Sequence, residues 1–350
     1  MADIDQLLSY LREHNGSDLH LAANLAPRVR ISGQLERVPD WPPIDDGALR
    51  EMVREIAPQR CWDHYEQQRD SDFAYGLADG TRFRVNAFVQ QNGAGAVLRI
   101  IPDTIVPLDQ LGLPEAINEL VHLRKGLVLV TGPTGSGKST TLAAIIDGIN
   151  KRYPRHIVTI EDPIEFVHRD IRSLVTQREV HQHTRSFAAA LKAALRQNPD
   201  VVLVGELRDE ETIDLAVKAA EMGVLVFGTL HTNSAVKTID RLVDAFPSNR
   251  QSQVRLSLSE SLEAVVAQLL LRTVDGERCA ANEILLRTTA LPNIIREGKT
   301  PQLKTVIESG KAKGMQSMDD ALEGLVKAGT IGAEDAYRKA EDKPRFERLL

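Results

Sequence analysis

Eight consecutive residues, Gly132-Pro133-Thr134-Gly135-Ser136-Gly137-Lys138-Ser139, satisfy the pattern G-x-x-x-x-G-K-[ST] in full. Each residue type there has a physical task. Glycines let backbone N–H groups close around phosphate oxygens, and a helix beginning at the motif adds its positive dipole end. Lys138 is suited to bridge the β- and γ-phosphates of ATP, and the Ser139 hydroxyl to ligate Mg²⁺. Thr140 opens the helical stretch 140–149 and completes the phosphate-binding set, while the apolar run 127–130 reads as a buried strand just before it. A glycine-rich turn without a ligand is the plain alternative, and the complete motif in its strand-to-helix context outweighs it.

Three further residues stand just beyond apolar runs of strand length. Residues 157–160 lead into Glu161-Asp162-Pro163, 201–204 into Gly205-Glu206, and 224–227 through Gly228-Thr229-Leu230 to His231. In doubly wound sheets ligands sit beyond the carboxyl ends of the strands, so Glu161, Glu206 and His231 are expected at the edge where the phosphate loop opens. Phosphoryl transfer needs a metal holder, a group that orients water, and a contact to the γ-phosphate. Glu206 fits the first, sharing Mg²⁺ with Ser139. Glu161 fits the second, with Asp162 in support, and His231 the third. Each of these residues taken alone is as readily a helix cap or a surface group, and it is their coincidence at three strand ends that carries the reading.

The elements that must position these residues fall into two domains. In residues 1–103, an amphipathic N-terminal helix, a helix with Leu49, Met52, Val53 and Ile56 at helical spacing, and short alternating strands read as a mixed α+β domain. A turn at Ser32-Gly33-Gln34 is expected between two of those strands. Three prolines between Pro102 and Pro114 mark a connection, with 104–112 as the linker. From 113 to 350, apolar runs alternating with helical stretches give the pattern of a parallel sheet covered on both faces. After Pro247 the strand signal fades. Helical spacing at 254–271 and 316–327 predicts a C-terminal helical subdomain from about 248.

The 350 residues are 42% hydrophobic and 26% charged, the balance of a chain able to bury real cores. A net charge of −6 argues against direct nucleic-acid binding. Cys61 and Cys279 are far apart, which offers neither a disulfide framework nor a zinc module and fits a reducing compartment. The longest apolar runs are far too short to span a bilayer, so a cytoplasmic location is expected, with membrane association only through partners.

These motifs resemble those of the PilT-type retraction ATPases of type IV pili, in the secretion ATPase superfamily. The likeness runs from Ser17-Asp18-Leu19-His20-Leu21 and Arg82-Phe83-Arg84-Val85-Asn86 through Ile160-Glu161-Asp162-Pro163-Ile164-Glu165-Phe166, similar to the family's Asp box. It continues in Val204-Gly205-Glu206-Leu207-Arg208-Asp209, similar to its Walker B, and in Phe227-Gly228-Thr229-Leu230-His231-Thr232-Asn233-Ser234-Ala235, similar to its His box. The resemblance implies a homohexameric motor that retracts pili by pilin depolymerisation. Its implied parts are a PAS-like N-terminal domain and a RecA-like P-loop ATPase domain, docked on an inner-membrane platform protein at the pilus base. It also implies that N-terminal arginines, here Arg82, Arg84 and Arg99, act at the nucleotide as arginine fingers do. An assembly ATPase shares the same P-loop and both carboxylate strands, and a weakly hydrolysing regulatory ring subunit is a further alternative. Assembly relatives usually carry a four-cysteine zinc module.

Two positions depart from the family wording. Val224 stands where the His box usually has its first histidine, and Leu291-Pro292 replace Ile-Arg in the segment ending Arg296-Glu297. Among weaker signals, His181 and His183 are expected to be loop histidines rather than metal ligands. An ion pair between Arg208 and Asp209 is also expected, and core packing of helix 256–271.

Overall fold

The computed structural model describes residues 3–31, 33–101 and 104–350. Ser32 of the expected turn, and Pro102 and Asp103 at the expected domain boundary, lie outside them, as do Met1 and Ala2. The chain forms two compact units, residues 1–104 and 105–350.

In the first unit, helix α1 (Asp3–Glu13) is followed by strands β1 (Asp18–Ala22), β2 (Arg28–Ile31) and β3 (Gln34–Arg37). Helices α2 (Asp46–Ile56) and α3 (Gln59–Gln68) come next, then β4 (Asp70–Gly76), β5 (Arg82–Gln90) and β6 (Gly93–Ile101). The six strands pair in the order β3-β2-β1-β6-β5-β4, every neighbour antiparallel. Alternation along β5 sends Phe83, Val85 and Ala87 into the core, where they meet Ile4, Leu7, Leu8 and Leu11 of α1 and Leu49 and Val53 of α2. Burying each large apolar side chain of this kind contributes about 1.5–3 kcal/mol. The helical spacing read at Leu49, Met52, Val53 and Ile56 is the buried face of α2, which Asp45 caps by accepting from the Ala48 amide at 3.0 Å.

The second unit opens with α4 (Glu115–Asn118) and β7 (Gly126–Thr131), then α5 (Lys138–Arg152), β8 (His156–Glu161), β9 (Leu174–Glu179) and α6 (Phe187–Ala194). It continues with β10 (Val201–Val204), α7 (Glu210–Glu221), β11 (Leu225–Leu230), α8 (Ala235–Asp244) and α9 (Ser248–Ser261). Strands β12 (Leu262–Arg272) and β13 (Arg278–Leu286) follow, then α10 (Leu291–Arg296), α11 (Leu303–Ser309), α12 (Met318–Lys327), α13 (Ala333–Lys339) and α14 (Lys343–Glu347). The sheet order is β13-β12-β7-β11-β10-β8-β9. All its pairings are parallel except β12 with β13. β7, β10 and β11 are buried along their whole length, which is why they read as unbroken apolar runs.

The chain after Pro247 corrects the helical expectation. Helix α9 ends at Ser261, and the rest of the stretch expected as helix, from Leu262 onward, is a strand running parallel to β7. The spacing of Leu258, Leu262, Val265, Val266 and Leu269 imitates a helix because the run is apolar nearly throughout, and such a run carries no period. Adjacent β-branched Val265 and Val266, both fully buried, favour the strand. Helices dominate only from Leu291, and α12 matches the spacing read at 316–327.

Candidate active site

Strand β7 leads through Thr131 into the glycine-rich loop and α5 begins at Lys138. Gly132 has φ +146° and Gly137 φ +85°, and a Cβ on Gly132 would lie 2.2 Å from the Gln268 carbonyl oxygen. Only glycine fits that approach. The Lys138 Nζ donates to the carbonyls of Gly132 at 2.9 Å and Pro133 at 3.0 Å, so the ammonium curls over the loop. Burial lowers its pKa, and the charges of Glu206 and Glu165 oppose that shift.

Glu206 stands two residues past β10. The Gly205 amide donates to the Ile160 carbonyl at 2.7 Å, the Leu207 amide to the Thr229 carbonyl at 3.0 Å, and the Thr229 hydroxyl to the Gly205 carbonyl. These bonds clamp the loop between the ends of β8 and β11. One carboxylate oxygen of Glu206 lies 2.7 Å from Arg208 and the other 3.3 Å from Nε2 of His231, which follows β11 directly. Burial pushes the Glu206 pKa up, but Arg208 and His231 outweigh it and hold the carboxyl below its usual range. Arg208 thus pairs with Glu206 and not, as expected, with Asp209. Asp209 caps α7 instead, accepting from the Thr212 amide at 2.9 Å, because it precedes a helix whose first amides need acceptors.

Glu161 ends β8 and is largely withdrawn from water. Burial raises its pKa, against three bonds that favour the charged form. The Thr159 hydroxyl donates to it at 2.6 Å, Nε2 of Gln177 at 3.2 Å and the Glu165 amide at 3.4 Å. A carboxylate so placed is a proton acceptor whose affinity for a proton has been increased.

Glu161, Glu206 and His231 therefore all emerge at the carboxyl edge of the parallel sheet, with Glu206 and His231 in direct contact. Two neighbours are given no role by the sequence reading. Glu165, quoted only within the wording similar to the Asp box, has its charge felt at Lys138. Gln177 sits opposite Thr159 in the β8–β9 register, and its signal was lost with the unrecognised strand β9.

Arg82, Arg84 and Arg99 belong to the first unit, on the sheet face opposite Phe83 and Val85. Arg84 faces Arg99 in register, and Arg99 faces Asp18. The Arg99 Nε donates to Asp18 at 2.6 Å, while Arg84 lies 3.8 Å from Asp72.

Val224 precedes β11 at the sheet's amino edge, where its carbonyl accepts from the Gly126 amide at 3.1 Å. The phosphate loop is at the other end of β7. Leu291 is buried in the core and Pro292 lies in the first turn of α10, where its missing N–H costs nothing. The Nδ1 of His183 accepts from the Glu179 amide at 3.0 Å. No cluster of three or more His, Cys, Asp or Glu residues suited to a metal occurs among the described residues, nor any helix long and apolar enough to cross a membrane.

A parallel sheet opening into a complete phosphate loop, with carboxylates at two neighbouring strand ends, defines the class: a P-loop ATPase. The chain belongs to the family described as "Type II/IV secretion system protein", whose model matches residues 2–343. It is 48% identical over 344 residues to the "Type IV pilus retractation ATPase PilT" of Pseudomonas aeruginosa, covering 98% of this chain and all of that one. It is 50% identical over 317 residues to the "Twitching motility protein" of Neisseria gonorrhoeae, covering 90% and 84% of the two chains. A crystal structure of the pilus retraction motor PilT with bound ADP superposes with a TM-score of 0.91 at 44% identity, over 98% of each chain.

Proposed function

We propose that this chain hydrolyses Mg·ATP to power type IV pilus retraction, as a homohexameric ring at the cytoplasmic face of the inner membrane. The observation that carries the reading is the Glu206 carboxylate, 3.3 Å from His231 Nε2 and with its charge felt at Lys138, at the carboxyl edge of the parallel sheet. Full-length similarity to a retraction ATPase and a twitching motility protein supports the pilus assignment.

In this reading the loop amides and side chains of Gly132, Pro133, Thr134, Gly135, Ser136, Gly137, Lys138, Ser139 and Thr140 hold the phosphates. The donor set suits magnesium, which binds proteins through one or two oxygens and completes its shell with phosphate and water. Ser139 and Glu206 would hold it, and when bound it neutralises charge on the β- and γ-phosphate oxygens. Glu161 accepts a proton from the attacking water, and its raised proton affinity suits that task. His231 links Glu206 to the γ-phosphate. Arg82, Arg84 and Arg99 act on the nucleotide of the ring, with residues 1–103 as the arginine-bearing domain, 104–112 as linker and 113–350 as the ATPase domain. The ring's docking partner is an inner-membrane platform protein.

Phosphate release by the purified protein tests the enzyme. Lys138→Ala and Glu206→Ala should each lose it by at least about a hundredfold, the scale of removing one strong transition-state contact. Wild type no faster than these variants would overturn the proposal. In a deletion strain, excess surface pili with lost twitching are expected. Bald cells would contradict retraction.

A further inference from the structure

Strand β12 runs beside β7 with Ala267 opposite Thr131, so Gln268 arrives where the phosphate loop begins. The residue is 2% exposed, and its side-chain amide is bonded at both ends. Nε2 donates to the Ser136 carbonyl at 2.7 Å. Oε1 accepts from the Thr141 hydroxyl at 2.9 Å and from Nδ2 of Asn282, on β13, at 3.1 Å. The Asn282 carbonyl in turn accepts from Nε2 of Gln316 at 2.8 Å, just before α12. The amide therefore joins the loop, the first turn of α5 and β13 inside the core.

We infer that Gln268 is a positioning residue for phosphate binding, setting the direction of the Gly137 amide. The Ser136–Gly137 peptide is planar and trans, so its N–H points opposite its C=O. Gln268 holds that C=O toward β12, and the N–H is thereby turned away from β12, to the side where the loop receives phosphate oxygens. Gly137 has φ +85°, and a Cβ there would meet Nε2 of Gln268 at 2.9 Å, so the glycine and the glutamine fit together. Without the donor, the peptide can rotate, and phosphate binding must first restore its orientation. The inference rests on the nucleotide reading above.

The test uses ADP as probe on the full chain. Gln268→Met, near in volume but without hydrogen bonds, should raise the ADP Kd about tenfold, the effect of one lost hydrogen bond near a charged ligand. KM for ATP should rise by about the same factor with kcat within about twofold, the pattern of lost ground-state binding. Thr141→Val keeps the Ser136 bond while loosening the same core, and should stay within about threefold of wild type. If the Met variant fails to fold, Gln268→Glu at alkaline pH keeps both acceptor roles, lacks the donor and adds a charge that repels phosphate, so it should show at least the same loss. Wild-type affinity in the Met or Glu variant would overturn the inference, as would equal weakening by Thr141→Val. Wild type that itself fails to bind ADP would instead overturn the nucleotide reading on which it rests.

Discussion

Gln177→Leu offers the sharpest probe of Glu161. The glutamine amide donates to the Glu161 carboxylate at 3.2 Å and to the Phe166 carbonyl at 2.8 Å, while its oxygen accepts from the His168 amide at 2.7 Å. Burial already holds the Glu161 pKa above the usual range, and the Gln177 bond is one of those resisting that rise. In the role proposed for Glu161 hydrolysis needs the ionised form, so activity should fall as pH drops through this pKa. Removing a donor to the ionised form makes the carboxyl take its proton at higher pH, and the acid limb moves toward neutrality. A hydrogen bond to a charged group is worth about 1.5–3 kcal/mol, and the length of this one argues for the lower end. That is about a tenfold change in the ionised fraction low on the acid limb. The assay is the pH dependence of kcat/KM for ATP. The variant should be about tenfold slower than wild type at acid pH and within about threefold on the alkaline plateau. Thr159→Val, which removes the 2.6 Å bond, should move the limb the same way. An acid limb at the wild-type pH in a folded Gln177→Leu protein would refute the role given to Glu161.

Two further outcomes follow from local geometry. Gly132→Ala forces a Cβ against the Gln268 carbonyl at a φ that side chains avoid, and should cost the ATPase unit about 2–5 kcal/mol in urea melts. A loss below about 0.5 kcal/mol, the range of a plain surface change, would contradict the tight contact. Val224→His, at the far edge of the sheet from the phosphate loop, should change kcat/KM by no more than about threefold, or about 0.7 kcal/mol of transition-state stabilisation. A gain above about tenfold would show that this edge reaches the chemistry after all.

The phosphate loop was legible because its information is contiguous: one strand, eight residues, one helix. Glu161, Glu206 and His231 were legible because β8, β10 and β11 are buried apolar runs whose ends mark the binding edge. Strand β12 was hidden by its own burial, since a run apolar on both faces has no period to separate strand from helix. Strand β9 lies at the sheet edge and reads Leu-Val-Thr-Gln-Arg-Glu, with little apolar signal, and Gln177 was lost with it. Helix α3 buries little beyond Trp62 and Tyr65. Gln268, Thr141 and Asn282 meet across as many as 141 sequence positions, a contact only the strand order reveals.

In the proposed mechanism one phosphate chain is grasped by the loop while groups from three other strand ends converge on its terminus. A crystal structure with a nonhydrolysable ATP analogue and Mg²⁺ tests it most directly. The triphosphate should lie against the amides of residues 132–139, with Glu206 at the metal and with Glu161 and His231 toward the γ-phosphate. An analogue bound elsewhere, or Glu206 still locked to Arg208 with no path to the metal, would contradict the account.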